Sequence, residues 1–182
     1  VGTLFVRGPS VMTGYFEDAE ATRDVLSPDV WFNTGDLAYR IGRSLFITGR
    51  EKDMIIINGR NIWPQDLEYV AEHQPGVRSG NASAFSVPGL DGHDQAVLVI
   101  QCREQDDAKS ADLTKRVQKR VREEFGIDSF IELVPRHTLP RTTSGKLSRS
   151  KARKDFLKRK AASQMPPVEM TGTQAREVSP AV

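Results

Sequence analysis

Apolar positions in the second half of the chain change between a strand-like and a helix-like period. Continuous or alternating apolar runs predict three sheet strands, at 82–87, 96–102 and 131–134. Apolar residues at every third or fourth position predict an amphipathic helix over 110–125, which Ser110 caps and Gly126 ends. The succession favours an α+β (α/β-like) domain in which helices flank a three-stranded sheet.

The first fifty residues carry a different, β-rich pattern. An alternating strand opens the chain, and two further strands are predicted at 37–40 and 44–48 with Gly42 in the turn between them. A short helix is expected over 17–28, and Thr34-Gly35-Asp36 is expected to form a tight turn. We therefore predict a β-rich segment, residues 1–51, in front of a separate domain at 52–162.

A hairpin and a helix are expected where the second domain begins. The apolar run at 54–57, with three β-branched isoleucines, ends in Asn58-Gly59, which is the strongest short hairpin signal in the chain. Pro64 then suits the first turn of a helix whose apolar face is formed by Leu67, Val70 and Ala71.

Composition narrows the class of protein. At 182 residues, with 27% charged and 38% hydrophobic residues, the chain is expected to be mostly globular. No apolar run approaches the roughly 18 residues of a membrane span, and no basic-then-apolar leader opens the chain, so a cytoplasmic location is expected. The single cysteine, Cys102, lies in an apolar run and is interpreted as a buried small hydrophobe. The polar tail 163–182 is predicted to be disordered.

Basic residues are concentrated near the C-terminus although the net charge is only +2. Lys and Arg crowd the stretch 141–160, opposed by Asp155 alone, and a basic helix is predicted at about 150–162. Such a run is usually a solvated helix face, but it also suits an acidic partner. Nucleic acid is poorly supported because Phe156 is the one aromatic residue in the run, which leaves little to stack on bases.

Three residues near the domain boundary could carry chemistry. Asp36 is either a turn former or a carboxylate that accepts hydrogen bonds from ribose hydroxyls. Arg50 is either one half of a surface ion pair with Glu51 or Asp53, or a ligand contact. Lys52, taken alone, is a solvated charge.

Lys146 follows a small polar lead, Thr142 to Gly145, that is expected to be flexible. A lysine on such a loop can stabilise negative charge that develops on oxygen during acyl or phosphoryl transfer. The spacing matches neither GxxxxGK[ST] nor GxGxxG. No metal-ligand set can be assembled from the scattered histidines and the cysteine, and Ser144 has no neighbouring base. The residues are His73, His93, His137 and Cys102.

Four segments, taken in order, resemble the adenylate-forming superfamily of acyl-CoA synthetases, fatty-acyl-AMP ligases and related carrier-protein-loading domains. They are GTLFVRGPSVMTGYF, WFNTGDL, ITGREKDMIIINGRNIWPQDLE and LPRTTSGKLSR, and they span residues 1–149. The resemblance implies that the segment 1–51 is the end of a large adenylation domain. It also implies that 52–162 is the mobile C-terminal domain.

The resemblance assigns a role to each candidate residue. Asp36 and Arg50 would hold the ribose of ATP or acyl-adenylate, and Lys52 would be the hinge. Lys146 would reach the carboxylate and the α-phosphate in the first half-reaction. Ile57-Asn58-Gly59 would line a channel for a phosphopantetheine thiol in the second. ATP with Mg²⁺ is the implied cofactor, bound largely by a preceding domain.

The resemblance leaves the acceptor open. The phrase GRNIWPQDLE looks more like fatty-acyl-AMP ligases, which pass the acyl group to an acyl carrier protein, than like long-chain fatty-acid–CoA ligases. A third interpretation is a non-catalytic module whose basic stretch docks an acidic carrier protein. The family's phosphate-binding loop and acyl pocket are not found in this chain, so we expect it to be inactive by itself.

Overall fold

The computed structural model describes residues 1–89, 92–103 and 106–164. The elements of the N-terminal segment are β1 (Gly2–Val6), α1 (Ala19–Val25), β2 (Phe32–Ile41) and β3 (Ser44–Arg50). A 3-10 turn at Glu51–Asp53 leads to β4 (Ile55–Ile57), β5 (Arg60–Ile62), α2 (Pro64–Glu72), β6 (Val77–Pro88), β7 (Asp94–Cys102), α3 (Asp107–Phe125), β8 (Ser129–Val134) and α4 (Arg149–Gln164). The predicted basic helix extends to Gln164, so the first two residues of the predicted disordered tail are helical. The rest of that tail, 165–182, lies outside the described residues.

The predicted three-stranded sheet is confirmed, in the order β6-β7-β8. β6 and β7 are antiparallel, whereas β7 and β8 are parallel. Successive residues of β7 enter different cores: Leu98 and Ile100 pack with α2 and α3, and Val97 and Val99 pack with α4. Helices therefore cover both sheet faces, which explains why β7 reads as a continuous apolar run.

The start of α2 agrees with the prediction, whereas the predicted N-cap of α3 was wrong. Pro64 occupies the first turn of α2, and Leu67, Val70 and Ala71 are buried as predicted. The cap of α3 is Asp106 rather than Ser110, because the Asp106 carboxylate accepts a hydrogen bond from the Lys109 N–H at 2.8 Å.

A second correction concerns Thr34-Gly35-Asp36, which lies inside β2 rather than in a turn. β2 is flanked by β1 and β3, and the Thr34 hydroxyl donates to the Leu4 carbonyl at 2.8 Å. Gly35 accepts the left-handed φ of 69° beside a register shift, so the strand continues through a sequence that favours turns. Thr34 and Gly35 have no register partner on β1 or β3, and the Gly35 and Asp36 N–H groups donate to the Asn33 and Thr34 side chains, so turn-like local bonding persists at an irregular point of the strand.

Candidate functional site

Asp36 and Arg50 lie opposite one another on two neighbouring strands. They are register partners on β2 and β3, and Arg50 Nε lies 3.2 Å from Asp36 Oδ1. Of the alternatives for Arg50, the structure shows neither Glu51 nor Asp53 as its ion-pair partner; Asp36 is the partner. The Asp36 side chain is 26% exposed, so the arginine fixes a carboxylate that still reaches solvent and can accept hydroxyl hydrogen bonds from a ligand.

The end of β3 contacts the start of α2. A Cβ added at Gly49 would lie 2.9 Å from the Trp63 ring, so only glycine allows this approach without a shift. Gln65 Nε2 donates to the Thr48 carbonyl across the same boundary. Lys52 stands in the 3-10 turn between the two segments, with its side chain exposed. The contact between Gly49 and Trp63, with Gln65 on Thr48, is called the seam below.

A network of charged side chains that the sequence did not predict lies next to Lys52. Arg149 Nε and Nη2 donate to the two carboxylate oxygens of Glu68 at 2.7 and 2.6 Å, and Nη1 lies 3.4 Å from Asp53 Oδ2. Glu68 also accepts the Ala84 N–H at 3.0 Å. Hydrogen bonding to Glu68 raises the pKa of the Arg149 guanidinium, although burial acts in the opposite direction.

This network ties the residue after Lys52 to the first residue of α4. A cleft of about 370 Å³ opens beside it, lined by Lys52 on one side and by Ser150, Arg153 and Lys154 on the other. One feature of the sequence pointed to these residues: Glu68 is the last residue of ITGREKDMIIINGRNIWPQDLE, and Arg149 is the last residue of LPRTTSGKLSR. No spacing rule, however, pairs residues that are 81 positions apart.

Lys146 follows a braced turn rather than the expected flexible lead. The Thr142 N–H donates to the Lys146 carbonyl at 2.8 Å, and the Thr142 and Ser144 hydroxyls lie 2.9 Å apart. Arg141 Nη1 donates to the Gly145 carbonyl at 2.9 Å. The Lys146 side chain is exposed and makes no ion pair within the described part of the chain. The turn thus presents a free ammonium on a defined backbone.

The predicted hairpin is confirmed. Asn58 and Gly59 form its two-residue turn with φ of 52° and 74°, which suits the twist of β4 and β5. Arg60 Nη1 donates to the Phe125 carbonyl at 3.0 Å and so anchors the hairpin to the end of α3. Ile57 and Asn58 border a cleft of about 410 Å³ whose other side includes Asp94 and Asp128.

The candidate site residues therefore do not form one cluster. Asp36 and Arg50 form one pair, Lys52 lies at the seam, and Lys146 and the hairpin are on different loops of the second domain. In the described ranges, no three His, Cys, Asp or Glu side chains converge to hold a metal ion. No helix within those ranges is long and apolar enough to cross a membrane.

A scan against models of protein families finds no match. Curated relatives are nevertheless clear. A Caulobacter vibrioides protein described as an acyl-CoA synthetase is 46% identical over 158 residues, which cover 86% of this chain and 27% of the relative. A medium-chain-fatty-acid–[acyl-carrier-protein] ligase of Moorena producens is 33% identical, over 86% of this chain and 28% of its own length. The chain thus spans little more than a quarter of these relatives.

Solved structures give the same result. A chain from studies of fatty acyl-adenylate ligases of E. coli and L. pneumophila superposes with a TM-score of 0.78 at 43% identity, covering 89% of this chain and 28% of that one. The McyG A-PCP structure, complexed with phenylalanyl-adenylate, gives a TM-score of 0.79 at 33% identity and covers 90% and 30% of the two chains. The chain belongs to the adenylate-forming family of acyl-CoA synthetases and fatty-acyl-AMP ligases, and corresponds to a C-terminal portion of it.

Proposed function

We propose that this chain is the C-terminal part of a fatty-acyl-activating ligase. The proposed reaction joins a carboxylate to ATP, giving acyl-AMP and pyrophosphate, and then transfers the acyl group to the phosphopantetheine thiol of an acyl carrier protein. The observation that carries the proposal is the Asp36–Arg50 pair, which ends two residues before Lys52 at the junction of the two segments. In the proposed enzyme, this pair would bind the nucleotide ribose and Lys52 would be the hinge about which the second domain rotates between the two steps.

The two half-reactions place conflicting demands on one site. Lys146 suits the first step, because its ammonium can offset charge on the reacting carboxylate and α-phosphate. The same side chain would obstruct a thiol in the second step, where Ile57, Asn58 and Gly59 would line the approach. Lys146 and the hairpin lie on separate loops of the same domain, so the proposed rotation about Lys52 would exchange them.

We propose the corresponding division of the chain. Residues 1–51 are the end of the large adenylation domain and 52–162 the mobile domain, with α4 continuing to Gln164. Asp36 presents an accessible carboxylate oxygen toward solvent, which fits a ribose. The nucleotide's phosphates and Mg²⁺ would be held largely by residues of the preceding domain.

Acyl carrier protein is the preferred acceptor, and CoA is the alternative. The carrier-protein ligase of Moorena producens is among the relatives, but so is a Mycobacterium leprae protein described as a fatty-acid–CoA ligase, at 30% identity. One surface feature favours a carrier protein. Lys151, Lys154 and Lys158 are exposed at helical spacing on α4 and make no ion pair among the described residues. An acidic partner would complement this stripe.

The adenylation step is tested by pyrophosphate release from the longer protein that contains this chain, with fatty acid and ATP. Lys146→Ala is expected to lower kcat by about 100-fold or more, since it removes charge stabilisation made in the transition state. Lys115→Ala, an exposed lysine on α3, is the matched control and should retain full activity. Equal activity of both variants would refute the role of Lys146. The isolated 182-residue chain should release no pyrophosphate above its own Lys146→Ala variant.

The nucleotide grip is tested by Asp36→Asn. This variant should weaken ATP binding to the longer protein by about tenfold while leaving the thermal midpoint nearly unchanged, because an exposed ion pair adds at most about 1 kcal/mol of stability. Unaltered ATP affinity would contradict the assignment of Asp36.

A carrier-protein docking role is the second candidate, and the lysine stripe on α4 supports it. Reversal of Lys151, Lys154 and Lys158 to Glu should abolish salt-sensitive binding of acyl carrier protein. Arg153 is left intact because its Nε donates to the Ser86 carbonyl at 2.9 Å. Reversal of Lys109, Lys115 and Lys119 on α3 is the charge-matched control. A nucleic-acid role gains nothing from the fold, since Phe156 is buried in the core.

A further inference from the structure

We propose that a cleft next to the Lys146 turn binds a phosphoryl anion of two or more charges, of which inorganic pyrophosphate is the simplest member. The cleft has a volume of about 400 Å³ and lies between the start of β6 and the loop that follows β8. Its walls include the guanidinium groups of Arg78, Arg136 and Arg141 and the imidazole of His137, and it is called the arginine cleft below.

The arginine cleft carries an unbalanced positive charge. No Asp or Glu is among its lining residues in the described structure. Arg78 and Arg136 are exposed, and neither forms an ion pair or a side-chain hydrogen bond with any described residue. Glu72 contacts the edge of the cleft, but its oxygens accept hydrogen bonds from the Ser79 hydroxyl at 3.2 Å and the Gly80 N–H at 2.8 Å.

Several arginines of this domain have acidic neighbours, although Arg60 and Arg103 form no ion pair among the described residues. On α3, for example, Arg116 pairs with Asp112 at 2.9 Å, and Arg122 pairs with Asp128. Arg78 and Arg136 differ from these because two unpaired guanidiniums share one concave surface. Mutual repulsion of such groups is relieved when an anion binds between them.

The floor of the cleft is rigid. Gln101 is 5% exposed, its Nε2 donates to Asn81 Oδ1 at 3.2 Å, and its Oε1 accepts the Leu139 N–H at 2.7 Å. These bonds fix the loop after β8 against β6. His137 in that loop adopts a left-handed φ of 66°, a conformation that surrounding structure must hold in place. The cationic groups are thus mounted on a preorganised backbone, which lowers the entropic cost of binding.

The chemistry of the walls selects the class of ligand. A guanidinium is a planar fork that donates two parallel hydrogen bonds to phosphate oxygens. A monocarboxylate is satisfied by one such fork, whereas the two unpaired forks of Arg78 and Arg136 match an anion with several charged oxygens. The shared chemistry is a phosphate group, which can come from pyrophosphate or from the phosphates of a CoA-like thiol carrier.

Arg141 connects the arginine cleft to the Lys146 turn. Its Nη2 donates to the Gly80 carbonyl at 2.6 Å, and its Nη1 donates to the Gly145 carbonyl at 2.9 Å. An anion held in the cleft would therefore lie against the arginine that braces the residue preceding Lys146. Its functional meaning rests on the proposed adenylation reaction, but its existence can be measured by binding alone.

The test is isothermal titration of the 182-residue chain with sodium pyrophosphate in a phosphate-free buffer. We expect saturable one-site binding, weakened about tenfold or more by Arg78→Gln combined with Arg136→Gln. Both residues are exposed, so the fold should survive. Arg40→Gln combined with Arg43→Gln, which removes the same charge from exposed positions of β2 and its turn, should bind like the parent chain.

Backbone NMR of the same samples locates the site. Pyrophosphate should shift the amide signals of Ser79, Asn81 and His137 in the parent chain and not in the Arg78/Arg136 double variant. Absence of saturable binding, equal weakening by both double variants, or shifts confined to other residues would each overturn the proposal. None of these outcomes depends on catalysis, so the adenylation proposal can fail or stand separately.

Two further titrations identify the source of the phosphate. If CoA binds through the same arginines and pyrophosphate competes with it, the cleft serves the thiol carrier as well as the inorganic anion. If CoA does not compete, pyrophosphate is the ligand. Sodium acetate should not bind, and tight acetate binding would contradict the requirement for a multiply charged anion.

Discussion

The sheet β1–β3 and the sheet β6–β8 both have three strands, but they bury very different amounts of apolar surface. In the C-terminal sheet, the side chains of Val97 to Ile100 are completely buried between α2 and α3 on one face and α4 on the other. In the N-terminal sheet, Ala38 is the buried hydrophobic residue, while Ile41, Leu45 and Ile47 are more than half exposed. One sheet has a core on each face, and the other has an open apolar surface.

The difference shows how each region holds its functional groups. The hairpin is anchored through Ile55, Ile57 and Ile62 in one core, and the Lys146 turn is flanked by Leu139 and Leu147 in the other. Asp36 and Arg50 instead depend on the register of β2 and β3 alone. Exposed apolar residues lie on both faces of this sheet, Ile41 beside Tyr39 and Phe46 on one face and Leu45 beside Ile47 on the other. Exposed apolar patches mark interaction surfaces. We therefore expect the N-terminal sheet to be completed by contacts that its own strands do not supply.

The largest expected effect is a loss of core packing. Leu98→Ala should reduce the free energy of unfolding by about 3 kcal/mol, because it removes buried methyl groups between α2, α3 and the sheet. Leu45→Ala, the same substitution at a position that is 52% exposed on β3, should cost less than about 1 kcal/mol. Urea unfolding followed by circular dichroism measures both. Similar losses would show that the two sheets do not differ as described.

The next effect separates a half-buried ion pair from an exposed one. Arg149→Ala should cost about 2 kcal/mol, because it leaves the Glu68 carboxylate, 12% exposed, without its charged partner. Arg122→Ala is the control: its partner Asp128 is 79% exposed, so the loss should be at most about 1 kcal/mol. Both are read from urea midpoints at constant slope. A larger effect for Arg122 would contradict the network's role in joining Asp53, α2 and α4.

A smaller effect tests the seam between the two regions. Gly49→Ala places a methyl group against the Trp63 ring and should cost about 1–2 kcal/mol through overpacking. Trypsin should then cleave faster after Arg50 or Lys52, because the segment between the two regions is less restrained. Gly8→Ala, where no atom lies within 4 Å of the new Cβ, should leave the cleavage rate unchanged. Unchanged cleavage in Gly49→Ala would show that the seam does not restrain the junction.

The smallest effect concerns the free thiol. Burial raises the pKa of Cys102, so less thiolate is present at pH 8 than in an exposed cysteine. Labelling by a thiol reagent should be slower by about tenfold or more in the native chain than in urea. The difference should shrink in the Leu98→Ala variant, whose core opens more often. Equal labelling rates in native and unfolded chains would refute the predicted burial.

The sequence by itself determined much of the architecture. The strands β6 to β8, the hairpin turn at Asn58-Gly59, the Pro64 start of α2 and the Gly126 end of α3 are all local consequences of period, turn chemistry and capping. Motif order was also sufficient to identify the family, because four segments occur in sequence. Local signals gave the wrong prediction at two places: Ser110 lies inside α3, whose cap is Asp106, and the turn-like Gly35 lies in a strand.

Only the tertiary structure decided which distant side chains meet. It paired Asp36 with Arg50 through strand register, joined Arg149 to Glu68 across 81 positions, and brought Arg78 beside Arg136 and Arg141. None of these contacts follows from a periodic pattern, because packing of whole helices and strands sets the distance between residues far apart in the chain. The charge and apolar pattern determines which secondary structure each segment forms, and the folded arrangement determines which side chains that segment contacts.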